Sequence, residues 1–290
     1  MRFWQSIAFT EADQFIAVAK LSEDAGFDGI TISDHLIHFQ HMAPRYPYTP
    51  SGLPPFTPLT VWPDAWSFFA AVGAMTKRIR FATNVFVLPL RNPIEVAKAI
   101  GSAASFCEGR IALGAGAGWM KEEYDLLGVD FHTRGKRFDE CIAVMRKLWS
   151  GELVEHHGRF FDFPPVRMLP APRQPIPIYI GGITPAALRR AAWLGDGWLG
   201  PGQSLEQALE TLRRLDQLRA EAGRGTEPFD SIVPINSPPD VDTFKRLEDA
   251  GAGGMVSYPF TFTIGPTSTL EAKRARIEEF ANNIIAKMRR

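Results

Sequence analysis

The chain has 290 residues, 45% of them hydrophobic and 22% charged, with 32 basic and 32 acidic side chains. That length and composition support a large apolar core, and a formal net charge of zero supplies no long-range field to draw in nucleic acid or an anionic membrane. No apolar h-region opens the chain, no apolar run nears the roughly 20 residues that span a bilayer, and the two cysteines, Cys107 and Cys141, make neither a disulfide framework nor a CxxC metal pair; a cytoplasmic protein with reduced thiols is expected.

In chain order, FWQSIAF (3–9) reads as a first strand. A helix over 11–25 follows, with Phe15, Val18, Ala19 and Leu21 on one face. Residues 28–33 make a second strand, which runs straight into Ser33, Asp34 and His35. The next stretch, 38–60, is rich in proline and aromatics and too long for an ordinary connection. A helix over 63–76 leads to a third strand, 79–89, and Pro93 suits the first turn of a helix that runs to about 106. GRIALGAGAG (109–118) is a fourth strand with a glycine-rich exit. A helix over 134–150 precedes an insertion, 151–176, which holds many prolines and little periodicity. Strands over 176–182, 196–200, 229–235 and 254–258 alternate with helices over 184–194, 203–222, 239–250 and 268–288.

Three αβ joints repeat one pattern: a helix, a glycine (Gly26, Gly195, Gly251), a short turn, then an apolar strand. Glycine after a helix supplies a left-handed cap at little steric cost. Alternation of strand and helix implies a parallel sheet with helices outside it. Eight such units predict a closed (β/α)8 TIM barrel, formed as one domain over 1–290, in preference to an open doubly wound sheet with two edges to protect. No low-complexity tract or linker divides the chain.

In a barrel the C-terminal strand ends form the active-site face. An acid and a histidine at the end of a buried strand therefore point to function, against the plainer reading that Asp34 caps a turn and His35 is a surface residue. The other exits carry Asn84-Val85, then Gly114 to Gly118 with Trp119, then Gly181-Gly182-Ile183-Thr184. Glycines in a strand let a ligand or another backbone come close. GAGAGW is not a clean dinucleotide fingerprint, because Trp119 stands where the third glycine belongs. At IGGITPAAL, either backbone N–H groups at the helix start face a phosphate, or the two glycines make a tight turn and Thr184 is an N-cap. His35, His38 and His41 recur every third residue, yet Pro44 and Pro47 argue against a regular helix presenting them, so no metal is expected. No GxSxG elbow is present. His156 and His157 are expected in solvent. The aromatics Phe39, Tyr46, Tyr48, Phe56, Trp62 and Trp66 make either a lid over an apolar ligand or a satellite core; Trp119 and Trp198 line a planar ligand or pack the rim.

Together these segments resemble the luciferase-like monooxygenase superfamily: EDAGFDGITISDHL, ATNVFVLPLRNPIEVAKAI, GRIALGAGAGWMKEEYDLLGVDFHTRGKRFDE, LWSG and PIPIYIGG. The forms YPYTPSG, LPLRNP and GWMKEEYDLLG look most like the subgroup that uses the deazaflavin coenzyme F420 rather than FMN. The resemblance implies a dimeric barrel with the ring in its mouth and a non-prolyl cis bulge at Asn84–Val85. It implies that Asp34 meets the ring's polar edge, that His35 lies near the reacting carbon, and that Gly181 and Gly182, with Thr184, cradle the cofactor phosphate. Gly116, Ala117, Gly118 and Trp119 would border the ring and the substrate space. Trp119 departs from the family's sugar-phosphate dehydrogenases, which carry a catalytic Glu there. Glu122 and Glu123 lie nearby but read equally as a helix start. Arg45, Arg134 and Lys136 are the candidate contacts for the anionic tail.

The function expected is hydride transfer between coenzyme F420 and a mostly apolar small organic substrate, with His35 as proton donor or acceptor. A two-component FMN monooxygenase fed by a separate reductase, and a non-catalytic flavin-binding protein, are the alternatives.

Overall fold

The computed structural model describes residues 1–42, 45–49 and 51–290; Pro44, which bears on the histidine spacing, lies outside them. The strands in chain order are β1 (Arg2–Ser6), β2 (Gly29–Ile32), β3 (Arg80–Thr83), β4 (Phe86–Val87), β5 (Ile111–Gly116), β6 (Val154–His157), β7 (Asp162–Val166), β8 (Ile178–Gly181), β9 (Gly197–Leu199), β10 (Asp230–Ile232) and β11 (Gly254–Val256). Eight of these, β1, β2, β3, β5, β8, β9, β10 and β11, pair in parallel and close into a ring through β1 with β11 and β3 with β5. The (β/α)8 barrel expected from the alternation is the fold observed.

The main helices are α1 (Phe15–Asp24), α2 (Ala65–Met75), α3 (Pro93–Cys107), α4 (Lys121–Leu126), α5 (Arg134–Leu148), α6 (Pro185–Leu194), α7 (Leu205–Glu221), α8 (Val241–Asp249) and α9 (Leu270–Phe280). Most begin on a side-chain cap. Asp64 accepts from the Ser67 N–H at 2.8 Å, Asn92 from the Ile94 N–H at 2.9 Å ahead of Pro93, and Ser204 forms a capping box with Gln207.

The core has two parts. One lies between the sheet and the helices, where Phe69, Phe81, Phe138, Phe244 and Ile178 are fully buried. The other fills the barrel itself: Trp4, Ala82, Ala112, Tyr179, Leu199, Ile232 and Val256, with Val85 packed on it. Glycine opposite each large interior ring makes this filling possible. A Cβ at Gly29 would land in the Trp4 indole, and one at Gly197 would land on the Tyr179 ring. β5 is buried at every residue, as expected of a parallel strand covered on both faces.

Four expectations need correction. Gly26 and Gly251 adopt φ of +90° as cap glycines, but Gly195 has φ −80°. Its reason is space, since a Cβ there would lie 2.8 Å from the carbonyl oxygens of Ala191 and Gly197. The third strand is not continuous: it breaks between β3 and β4 at Asn84–Val85. The insertion is not irregular either, because β6 and β7 form an antiparallel hairpin. Its His156 is not solvated; Nε2 lies 3.3 Å from Glu140 Oε1, whereas His157 is exposed. The last helix reaches Met288, close to its expected end, and passes after α9 through a π-helical turn, Ala281–Ile285.

Candidate active site

The two polar residues that end β2 turn to different partners. Asp34 grips Arg91 in a fork: Nη1 donates to Oδ2 at 2.7 Å and Nη2 to Oδ1 at 2.8 Å. Oδ2 also accepts the Val87 N–H at 3.0 Å. The same guanidinium donates to the Val87 carbonyl and lies 4.1 Å above the Phe86 ring. Asp34 thus ties the exit of β2 to β4, the segment after the bulge. Both its oxygens are engaged within the protein, and this arrangement gives no support to contact with a ring's polar edge.

His35 faces the other way. Its Nδ1 lies 3.3 and 3.4 Å from the two carboxylate oxygens of Glu123, and Glu123 Oε1 also accepts the Leu36 N–H at 2.8 Å. Glu123 is 2% exposed although it sits in the first turn of α4. Glu122 and Glu123 both read from the sequence as helix-start acids, and nothing local to the chain separates the one that turns inward. Around the imidazole stand Phe56 at 4.9 Å, Trp62 at 5.3 Å and Trp119 at 6.1 Å between ring centroids. Tyr46 packs edge-on to Trp119 at 5.2 Å, and its phenol is pushed up to about 12, by burial first and by Tyr48 second. It stays a hydroxyl donor across the physiological range.

The aromatic loop divides its residues between rim and core. Phe56, Trp62 and Tyr46 close over His35 and Trp119, while Trp66 joins the main core against Phe69 and Phe86. Trp198 is fully buried in the core between the sheet and the helices and donates to the Gly182 carbonyl at 2.8 Å.

The Asn84–Val85 peptide is cis, and the Asn84 N–H donates to the Ile32 carbonyl at 2.6 Å. The glycines around it answer to the bulge. A Cβ on Gly116 would lie 2.6 Å from Val85 Cγ2, one on Gly181 would lie 2.7 Å from Val85 Cγ1, and one on Gly118 would lie 2.5 Å from Val87 Cγ1. Of the two roles open to these glycines, close approach by another part of the chain is therefore occupied: Val85 sits between Gly116 and Gly181. The Ala117 carbonyl accepts the Tyr124 hydroxyl at 2.6 Å. Thr184 caps α6 by accepting the Ala187 N–H at 3.2 Å.

The basic candidates scatter. Arg134 donates to the Phe131 carbonyl and lies 3.7 Å above the Phe131 ring, Arg45 packs its carbons on Gly52, and Lys136 is exposed. His38 meets Phe56 edge-on, and among the described residues no three His, Cys, Asp or Glu side chains gather as metal ligands. A cleft at the opposite end of the barrel is lined by Arg2, Asp28, Arg78, Arg80 and Arg289. Arg2 pairs there with Asp230 and Arg289 with Asp28, the kind of ion pairing that serves stability at a barrel's N-terminal face.

A model of the luciferase-like monooxygenase family matches residues 5–282. The chain belongs to that family. An uncharacterized protein of Mycobacterium tuberculosis is 42% identical over 290 residues, which span 99% of this chain and 100% of that protein. A Gordonia bronchialis protein named F420-dependent glucose-6-phosphate dehydrogenase is 30% identical over 244 residues, 81% of this chain and 67% of its own. The crystal structure of a monooxygenase from Streptomyces bottropensis shares the fold, with a TM-score of 0.77 at 19% identity over 99% of each chain.

Proposed function

We propose that the protein is an oxidoreductase that moves hydride between coenzyme F420 and a mostly apolar small organic substrate. The observation that carries this reading is the placement of His35, a largely buried imidazole among the strand ends, walled by Phe56, Trp62 and Trp119. The residues present fit a planar ring. Val85 offers an apolar floor on top of the barrel filling, and two buried polar atoms, Ser33 Oγ and Trp62 Nε1, have no hydrogen-bond partner among the described residues. Unmatched buried polar atoms suit a ligand with a polar edge.

In this reading the main chain at Gly116, Ala117, Gly118 and Trp119 borders the ring, and Gly181, Gly182 and Thr184 hold the phosphate at the start of α6. The bound ring supplies the hydride chemistry. The protein orients the reactants, keeps water away with the aromatic loop, and moves one proton at His35 Nε2. Asp34 acts through Arg91 and Val87 on the shape of the bulge. Preference for the deazaflavin over FMN rests on the motif resemblance and on the relative named as an F420-dependent dehydrogenase. An apolar rather than a sugar-phosphate substrate follows from the wall of aromatics and from Trp119.

Parallel titrations with coenzyme F420 and with FMN, followed by tryptophan fluorescence, test the reading because Trp62 and Trp119 border the mouth. Tight deazaflavin binding with weak FMN binding is the expected result. The reverse would favour an FMN enzyme, and binding of neither would overturn the reading.

A further inference from the structure

We infer that Glu123 is a positioning residue that fixes the tautomer of His35, holding Nδ1 as the N–H and leaving Nε2 as the proton acceptor that faces the mouth. The role this gives to Nε2 rests on the proposed function; the tautomer itself does not.

An ionised carboxylate offers only acceptor positions. Both Glu123 oxygens lie within hydrogen-bond reach of Nδ1, and one of them already takes the Leu36 N–H. A lone pair on Nδ1 would set acceptor against acceptor in a site where Glu123 is 2% exposed and water cannot relieve the conflict. The ring therefore presents Nδ1–H to Glu123. The other neighbours of the imidazole are the aromatic faces and edges of Phe56, Trp62 and Trp119, which do not compete for a ring nitrogen as a carboxylate does.

Glu123 also accepts the Leu36 N–H, so one carboxylate holds the His35 ring and the main chain of the residue that follows it. When Nε2 takes a proton from the substrate's heteroatom, the positive charge that develops on the ring faces Glu123. When Nε2 then passes that proton to solvent, Nδ1 keeps its own, and the neutral tautomer is restored for the next turnover. A carboxylate behind a catalytic imidazole does this work in other enzymes through the same two effects, tautomer choice and charge compensation.

Nitrogen NMR on protein labelled at histidine reads the tautomer directly, with no cofactor present. The His35 signals are assigned by their loss in His35→Gln. At about pH 8 the wild type is expected to show Nδ1 protonated and Nε2 bare. In Glu123→Gln the amide can donate as well as accept, so the pattern is expected to shift toward Nε2–H. A wild type with Nε2–H, or a variant with an unchanged pattern, overturns the inference. If Glu123→Gln does not fold, the wild-type spectrum alone still decides. With substrate and cofactor in hand, Glu123→Gln is expected to lower kcat by roughly 10²-fold with a smaller effect on KM. The expected tautomer in a protein that binds neither cofactor would sink the functional reading and leave this one standing.

Discussion

Asp34 and His35 are adjacent in the chain, and their side chains serve different structures. Asp34 is consumed by Arg91 and the Val87 N–H, where it braces the bulge; His35 is backed by Glu123 under an aromatic rim. His35→Ala is expected to lower turnover by roughly 10²–10⁴-fold, the usual worth of a positioned acid or base, while changing cofactor affinity far less. Steady-state kinetics beside a fluorescence titration measure both, and unchanged turnover would remove His35 from the mechanism. The pair is legible in the sequence because a buried apolar strand rarely ends on two polar residues without a reason. Glu123 is not legible in the same way. Acids are favourable in any helix's first turn, so its type and position carry no sign that its side chain turns inward. The glycines at 116, 118 and 181 are legible as places of close approach, but what approaches them, Val85 and Val87, is set by the break in the third strand.

At the scale of elements, the joints and caps are local chemistry and read well from the chain. The hairpin of β6 and β7 reads poorly, because Pro164 and Pro165 disguise a strand in which Phe163, like Phe161 just before it, is buried. Its anchor is Glu140 on α5, whose carboxylate accepts the N–H groups of Arg159, Phe160 and Phe161 and lies 3.3 Å from His156 Nε2. Burial raises the pKa of this carboxyl, but the hydrogen bonds from Phe161 and Phe160, then from His156 and Arg159, outweigh it and hold the group below its ordinary value. A depressed carboxylate contributes stability in full above its unfolded pKa and loses it as pH falls through the lower folded value. Wild-type melting temperature is therefore expected to fall between about pH 5 and pH 3, with part of that loss absent in Glu140→Gln, which should start lower and vary less. Equal slopes in the two proteins would show that Glu140 carries no such linkage.

The whole molecule depends on closure of the ring, in which the first strand must find the last. β1 pairs with β11 in register from Arg2 with Gly254 to Trp4 with Val256. A second tie joins the segment after β1 to the segment that leads into α9. Lys273, 1% exposed, places its ammonium 2.6 Å from Glu11 Oε2, 2.9 Å from Gln14 Oε1 and 2.8 Å from both Ser268 oxygens. Lys273 is buried but Glu11 is 28% exposed, so truncating the lysine chiefly removes charge-assisted hydrogen bonds to Gln14 and Ser268 and leaves Glu11 to partial solvation. Lys273→Ala is expected to cost about 1.5–3 kcal/mol in urea unfolding; a change below about 1 kcal/mol would mean that α9 closes the barrel by apolar packing alone.

By itself the sequence determined the alternation of strands and helices, the face on which the strand ends gather, and the presence there of His35, Trp119 and the glycines. These follow from periodicity, caps and strand termini, which are properties of short stretches. Only the tertiary structure decided that Glu123 stands behind His35 from 88 positions away, that Asp34 serves the bulge, and that Val85 lies between Gly116 and Gly181. Such pairings depend on how the strands stagger as the ring closes, and no local pattern in one strand records the position of its neighbours across the barrel.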